Sequence, residues 1–195
     1  MERLKNSKYE VFLLLIILTS IILLFLQNLS LTGNFTEGSI PSNVSLSKFL
    51  AISFGEILSE GIQFGTVSFL PATNINASHN YDGGSNGTDY IIEVHQDSNT
   101  NVDFCIKANV GLTSSALDVI GLGNETYSAF SSTNSTYPLL SEETLLTTSY
   151  VKSAIDIGIG NSSYWRFWLD IPAAQPSGNY NNTLFFEGVT IGSDC

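Results

Sequence analysis

The chain has 195 residues, 43 % of them hydrophobic, with a formal net charge of −11 at pH 7. So acidic a balance excludes a role built on nucleic acid or on anionic lipid headgroups, which repel such a surface. Two cysteines and two histidines are too few, and too far apart, for a structural zinc site.

Residues 1–10 form a basic segment, with Arg3, Lys5 and Lys8 ahead of one apolar run, Val11–Leu26. No Lys or Arg follows until Lys48. By the charge asymmetry the N-terminus is expected in the cytoplasm and everything after the run outside. As a helix the run rises about 24 Å, slightly short of a hydrocarbon layer of about 30 Å, and Leu29 extends it. Residues 11–29 therefore read as an uncleaved transmembrane signal anchor. The alternative is a cleaved signal peptide, although no Ala lies between Val11 and Thr36 to mark a cleavage site. A type IV pilin leader fits poorly, because Glu10 precedes the apolar core. Residues 30–48, rich in Ser, Gly, Pro and Asn, read as a polar stalk.

From residue 49 to 195 the pattern is β. Ile62, Phe64 and Thr66 alternate with their neighbours. So do Tyr90, Ile92 and Val94; Val102, Phe104, Ile106 and Ala108; and Trp165, Phe167, Leu169 and Ile171. Tyr180, Leu184 and Phe186 share a face. Each run has one apolar and one mixed face, which is the mark of antiparallel sheets buried on one side. Ser141–Leu146 is the one predicted short helix. Turn signals recur at 82–84, 86–87, 121–124, 158–161 and 176–178. About seven to nine short strands predict a single antiparallel, immunoglobulin-like β-sandwich of the all-β class.

After Leu31 the cations are Lys48, Lys107, Lys152 and Arg166, against sixteen carboxylates. Asn-x-Ser/Thr occurs nine times, at Asn28, Asn34, Asn43, Asn76, Asn86, Asn124, Asn134, Asn161 and Asn181. That is more than double what the composition gives by chance and predicts a glycosylated exterior. Asn28 lies too near the membrane to be used. Cys105 and Cys195 are expected to form one disulfide in an oxidising exterior. Cys105 would sit on the outward face of its strand, with the C-terminal tail clipped across the sheet.

No catalytic motif is present, and no nucleophile elbow, zinc-protease helix or phosphate loop. No enzyme activity, cofactor or catalytic residue is therefore predicted. Asp82 to Asp89 falls partly on the spacing of a calcium loop, but Gly84 stands where a side-chain oxygen is needed and a strand follows. Asp82 and Asp89 are weak metal candidates. Trp168 and Phe185, opposite the apolar faces of their strands, are candidates for an exposed binding patch.

The segment Trp168-Leu-Asp-Ile-Pro172-Ala-Ala-Gln-Pro176-Ser-Gly178-Asn-Tyr180 leads into Thr183-Leu-Phe-Phe186. It resembles the closing hairpin of exported immunoglobulin-like surface proteins of bacteria and archaea, of the WxL, TasA or camelysin type and filament-subunit type. The resemblance covers about 25 residues beyond the layout of leader, stalk and sandwich. It implies a cell-surface protein with a structural, adhesive or envelope- or filament-assembling role, with partners among copies of itself, other surface proteins or glycans. A carbohydrate- or calcium-binding module is the alternative. The dense sequons and low Lys content suggest an archaeal surface. In the assembling version, residues 29–48 are freed by cleavage and add a strand to a neighbour's sheet.

Overall fold

A computed structural model of the chain describes residues 2–29, 44–81 and 87–195, and within the N-terminal helix the side chains of residues 9–23. The chain divides into two units, Met1–Ser45 and Leu46–Cys195. The first unit holds α1, Glu2–Leu29. No Gly or Pro interrupts its hydrogen-bond ladder. Thr19 and Ser20 both turn their hydroxyls back onto the Ile16 carbonyl at 2.9 Å, which satisfies them within the helix. Among the described residues no helix is long and apolar enough to cross a membrane. The stalk sequons Asn34 and Asn43, and Asp82 and Asn86 further on, lie outside the described residues.

The second unit is all-β and antiparallel. Its strands are β1 (Ile52–Phe54), β2 (Ala72–Asn76), β3 (Ile91–Val94), β4 (Val102–Ala108), β5 (Leu112–Ser114), β6 (Val119–Ile120), β7 (Glu125–Phe130), β8 (Thr144–Leu145), β9 (Val151–Ile157), β10 (Ser162–Ile171), β11 (Tyr180–Asn181) and β12 (Leu184–Thr190), with one short helix α2, Glu56–Glu60. They form three sheets. The largest has the order β1-β3-β10-β7-β8, with β2 also on β10; the others are β12-β4-β9 and β11-β5-β6. The two larger sheets share one core. Ile92, Tyr127, Trp165 and Phe167 of one sheet pack with Val102, Phe104, Ile106 and Phe186 of the other. The edge-on contact of Trp165 with Phe186, ring centroids 5.2 Å apart, joins them at the centre. Gly188 of β12 lets them close. A Cβ there would lie within 3.3 Å of Ile52 and Leu50 side chains.

β10 organises the larger sheet. β7 pairs along one edge, from Tyr164↔Phe130 to Leu169↔Glu125. The other edge is divided. β3 pairs over Ser162–Tyr164, and β2 takes over from Trp168. Between them the side chain of buried Asn80 stands in for a strand. Its Nδ2 donates to Phe167 O at 2.6 Å and its Oδ1 accepts from Phe167 N at 2.9 Å. An amide reproduces the donor and acceptor of a peptide group, so the ladder stays satisfied where the backbone partners part. Replacing Asn80 with Ala leaves Phe167 N without its partner, while Phe167 O keeps the Ala77 N–H at 3.0 Å. We expect a loss of about 2–3 kcal/mol in urea unfolding. A loss under about 0.5 kcal/mol would mean that water fills the place of the amide.

Four local expectations are corrected. Ser141–Leu146 is not a helix: a 3-10 turn at Leu140–Glu142 leads directly into β8. Its apolar pair, Leu145 and Leu146, instead follows strand alternation, with Leu146 buried and Leu145 exposed. Residues 62–66 alternate as expected, with Ile62 and Phe64 against the core. Yet they pair with no strand among the described residues, and Gly61 and Gly65 bend the segment with φ of 101° and 71°. The segment after β10 is not a hairpin within one sheet: β10 ends at Ile171 before Pro172, β11 pairs with β5, and β12 joins the other sheet. Gly178, where the Pro176-Ser-Gly turn predicts a positive φ, does not have one. The Tyr180 hydroxyl closes this corner by donating to Pro176 O at 2.7 Å.

Candidate functional site

The segment from 61 to 68 follows α2 without regular secondary structure. On the other side, β12 pairs only with β4 among the described residues. Between them opens a groove of about 930 Å³. Its walls are Ile62 and Phe64 from the segment, Leu169 and Ile171 from the end of β10, and Leu184 and Phe186 from β12. These side chains share a groove because the period-two pattern turns each of them to the same side of its own backbone. The gap persists because β10 and β12 lie in different sheets where a hairpin would have filled it.

Glu125, the first residue of β7, lines this groove and is only 2 % exposed. Asn182 Nδ2 donates to its Oε2 at 2.7 Å. Burial pushes its carboxyl up to about 7, against the opposing pull of that hydrogen bond. Because the folded value lies above the unfolded one, the native state holds the proton more tightly. Stability from this group is present at acid pH and is lost as pH rises from about 4.5 through about 7. The loss should approach about 3 kcal/mol by pH 8, and Glu125→Gln should remove it. Urea midpoints of the two proteins across pH 5–8 check this. Parallel curves would refute it.

A second cluster lies on the outer face of β4. Cys105 bonds Cys195, with Cα atoms 6.0 Å apart and 90 residues between them in sequence. Cys105 points away from the core, as expected, but is fully buried, because the tail it anchors covers it. Asp103, two residues before it, accepts from Asp156 N at 2.9 Å, Gly192 N at 3.0 Å and Lys152 Nζ at 3.0 Å. Burial alone would raise its pKa, but these donors together hold it below the ordinary carboxylate value. Stability from Asp103 is therefore present above its unfolded pKa and lost as pH falls through the lowered one.

The proposed patch of Trp168 and Phe185 does not exist as such. Trp168 is 1 % exposed, and its Nε1 donates to Asn76 Oδ1 at 2.8 Å. Phe185, on another sheet, is 42 % exposed and beside the Lys107 ammonium, 5.5 Å from the ring centre. Its outward position marked Trp168 as exposed; in the fold it is enclosed and bonded to its cross-strand neighbour in β2. Asp89 is half-buried, with its Oδ2 3.8 Å from His79 Nδ1. Among the described residues no group of three or more His, Cys, Asp and Glu is placed to hold a metal. Asn76, Asn134, Asn161 and Asn181 are exposed and Asn124 is half-buried. Glu125 was missed in the sequence because β7 carries no clean alternation; its residues Glu125 to Ser128 are all buried.

Compared with known protein families, characterised proteins and solved structures, the chain gives no match.

Proposed function

We propose that the chain is a membrane-anchored, glycosylated surface protein with an immunoglobulin-like sandwich outside the cell, non-enzymatic, and structural, adhesive or assembling in role. Its anchor is the apolar run from Val11 to Leu26, and its orientation follows the cations before it. The disulfide supports an oxidising setting. Four exposed sequon asparagines, Asn76, Asn134, Asn161 and Asn181, support a sugar-coated surface.

One observation favours assembly in particular: the groove between the segment 61–68 and the edge strand β12. An extended chain laid there gains backbone hydrogen bonds from an edge and pockets for alternate side chains. The donor is the stalk of a second copy, residues 29–48. Its last apolar residues, Val44 and Leu46, are each 85 % exposed and spaced by two. Intact mass and N-terminal sequencing of protein taken from its native membrane test this, with electron microscopy of the cell surface. Sugar-bearing protein starting within the stalk and gathered in ordered arrays is expected. An intact Met1 in assembled material rejects strand donation, and a bare, reduced cytosolic protein rejects the whole reading.

A further inference from the structure

Resting on that reading, we propose that Glu125 selects when the groove accepts a strand: its protonated carboxyl admits an apolar segment and its ionised form turns one away. The argument starts from position. Glu125 is 2 % exposed yet lines the groove. Among the described lining residues it is the single charged one, and Tyr180 is the only other titratable group. Charged residues on neighbouring elements face elsewhere. Glu143, ahead of β8, accepts from the Thr126 hydroxyl, on the opposite face of β7. Asp170 of β10 accepts from Asn74 N, on the opposite face from Leu169. Among the described lining residues there is no Lys, Arg or His to compensate an ionised Glu125.

An incoming strand removes the water that remains in the groove. Desolvation penalises the charged form of a carboxyl far more than the neutral form. The occupied groove then holds the proton more tightly than the open one, and by linkage protonation strengthens strand binding. Asn182 couples this to the acceptor strand. Lying two residues before β12 begins, it holds Glu125 and also donates to Val110 O. Burial already places the titration of the open groove near neutral pH.

The test uses the full-length protein in neutral detergent, its monomeric fraction isolated by size, and an N-acetylated, fluorescent peptide of residues 30–48. The peptide's own ionisable side chains, Glu37 and Lys48, do not titrate between pH 5.5 and 8.5. Peptide affinity should hold steady at acid pH and fall up to about tenfold per pH unit above about 7. Glu125→Gln should bind with one affinity throughout, which assigns the slope to Glu125. The wild-type profile reads the gate even where the variant folds poorly. Binding that stays flat from pH 5.5 to 8.5, or a slope that survives in Glu125→Gln, overturns the gate and leaves strand donation standing. No binding at any pH by either protein removes strand donation, and the gate with it.

Discussion

Replacing Arg166 with Met should destabilise the second unit by about 3–5 kcal/mol, the largest effect expected from any single side chain. Arg166 lies on the outer face of β10 and is fully buried. Its Nε donates to Asn80 O at 2.8 Å. Nη1 reaches Pro138 O at 2.8 Å and Thr136 O at 3.1 Å, and Nη2 reaches Asn134 O at 2.6 Å. The Tyr81 ring lies against the guanidinium, 4.1 Å away. One planar fork thus holds two loops onto the sheet, and only Arg offers so many donors in a fixed geometry. Met fills similar space but leaves these carbonyls without donors, and they then pull the loops open to reach water. Lys at this position should recover no more than about half of the loss, since one ammonium has three donors. Urea unfolding at constant slope measures the loss, and amide exchange at 134–137 should speed up. A loss under about 1 kcal/mol would show that the loops hold without the clamp.

Removing the disulfide, as Cys105→Val with Cys195→Ser, should cost about 4 kcal/mol in the chain-entropy picture, because the closed loop is long. Valine keeps the buried Cys105 site filled without adding a polar group. The contacts beside it cannot replace the bond. Lys152 donates to both Asp103 and Ser193 O, and Gly192 N reaches Asp103, yet these act only once the tail is already in place. Wild-type protein unfolded in reductant should show the same lowered midpoint as the variant. Equal midpoints in oxidised and reduced wild type would mean that the crosslink constrains nothing the unfolded chain explores.

The sheet class and most of the core were readable because they follow from alternation alone. Val102, Phe104 and Ile106, and Trp165 and Phe167, are buried where period two puts them. Some pieces that escaped, such as β6 and β8, are two residues long, too short for periodicity to register; β7 escaped because four successive residues of it are buried. Trp168 and Arg166 escaped for another reason. Alternation says which side a residue faces, but not what the rest of the chain lays across that side; here Asn76 at the end of β2 and the loop at Thr136, both earlier in the sequence, reach Trp168 and Arg166. The disulfide was readable from the two cysteines and the expectation of an oxidising setting. The groove was not, because it depends on β10 and β12 parting into separate sheets, which the apparent closing hairpin concealed.

The burial of two hydroxyls bears on timing. An enzyme that attaches sugar at Asn-x-Ser/Thr has to reach the hydroxyl residue as well as the asparagine. Ser163, the partner of Asn161, is fully enclosed, receiving the Trp165 indole N–H at 2.9 Å. Thr126, the partner of Asn124, is 9 % exposed and bonded to Glu143. Ser78, Thr136 and Thr183, the partners of Asn76, Asn134 and Asn181, stay at the surface. On the glycosylated reading proposed above, a sugar at 124 or 161 would have to be added before β7 and β10 pair, whereas the other three positions stay accessible in the folded unit.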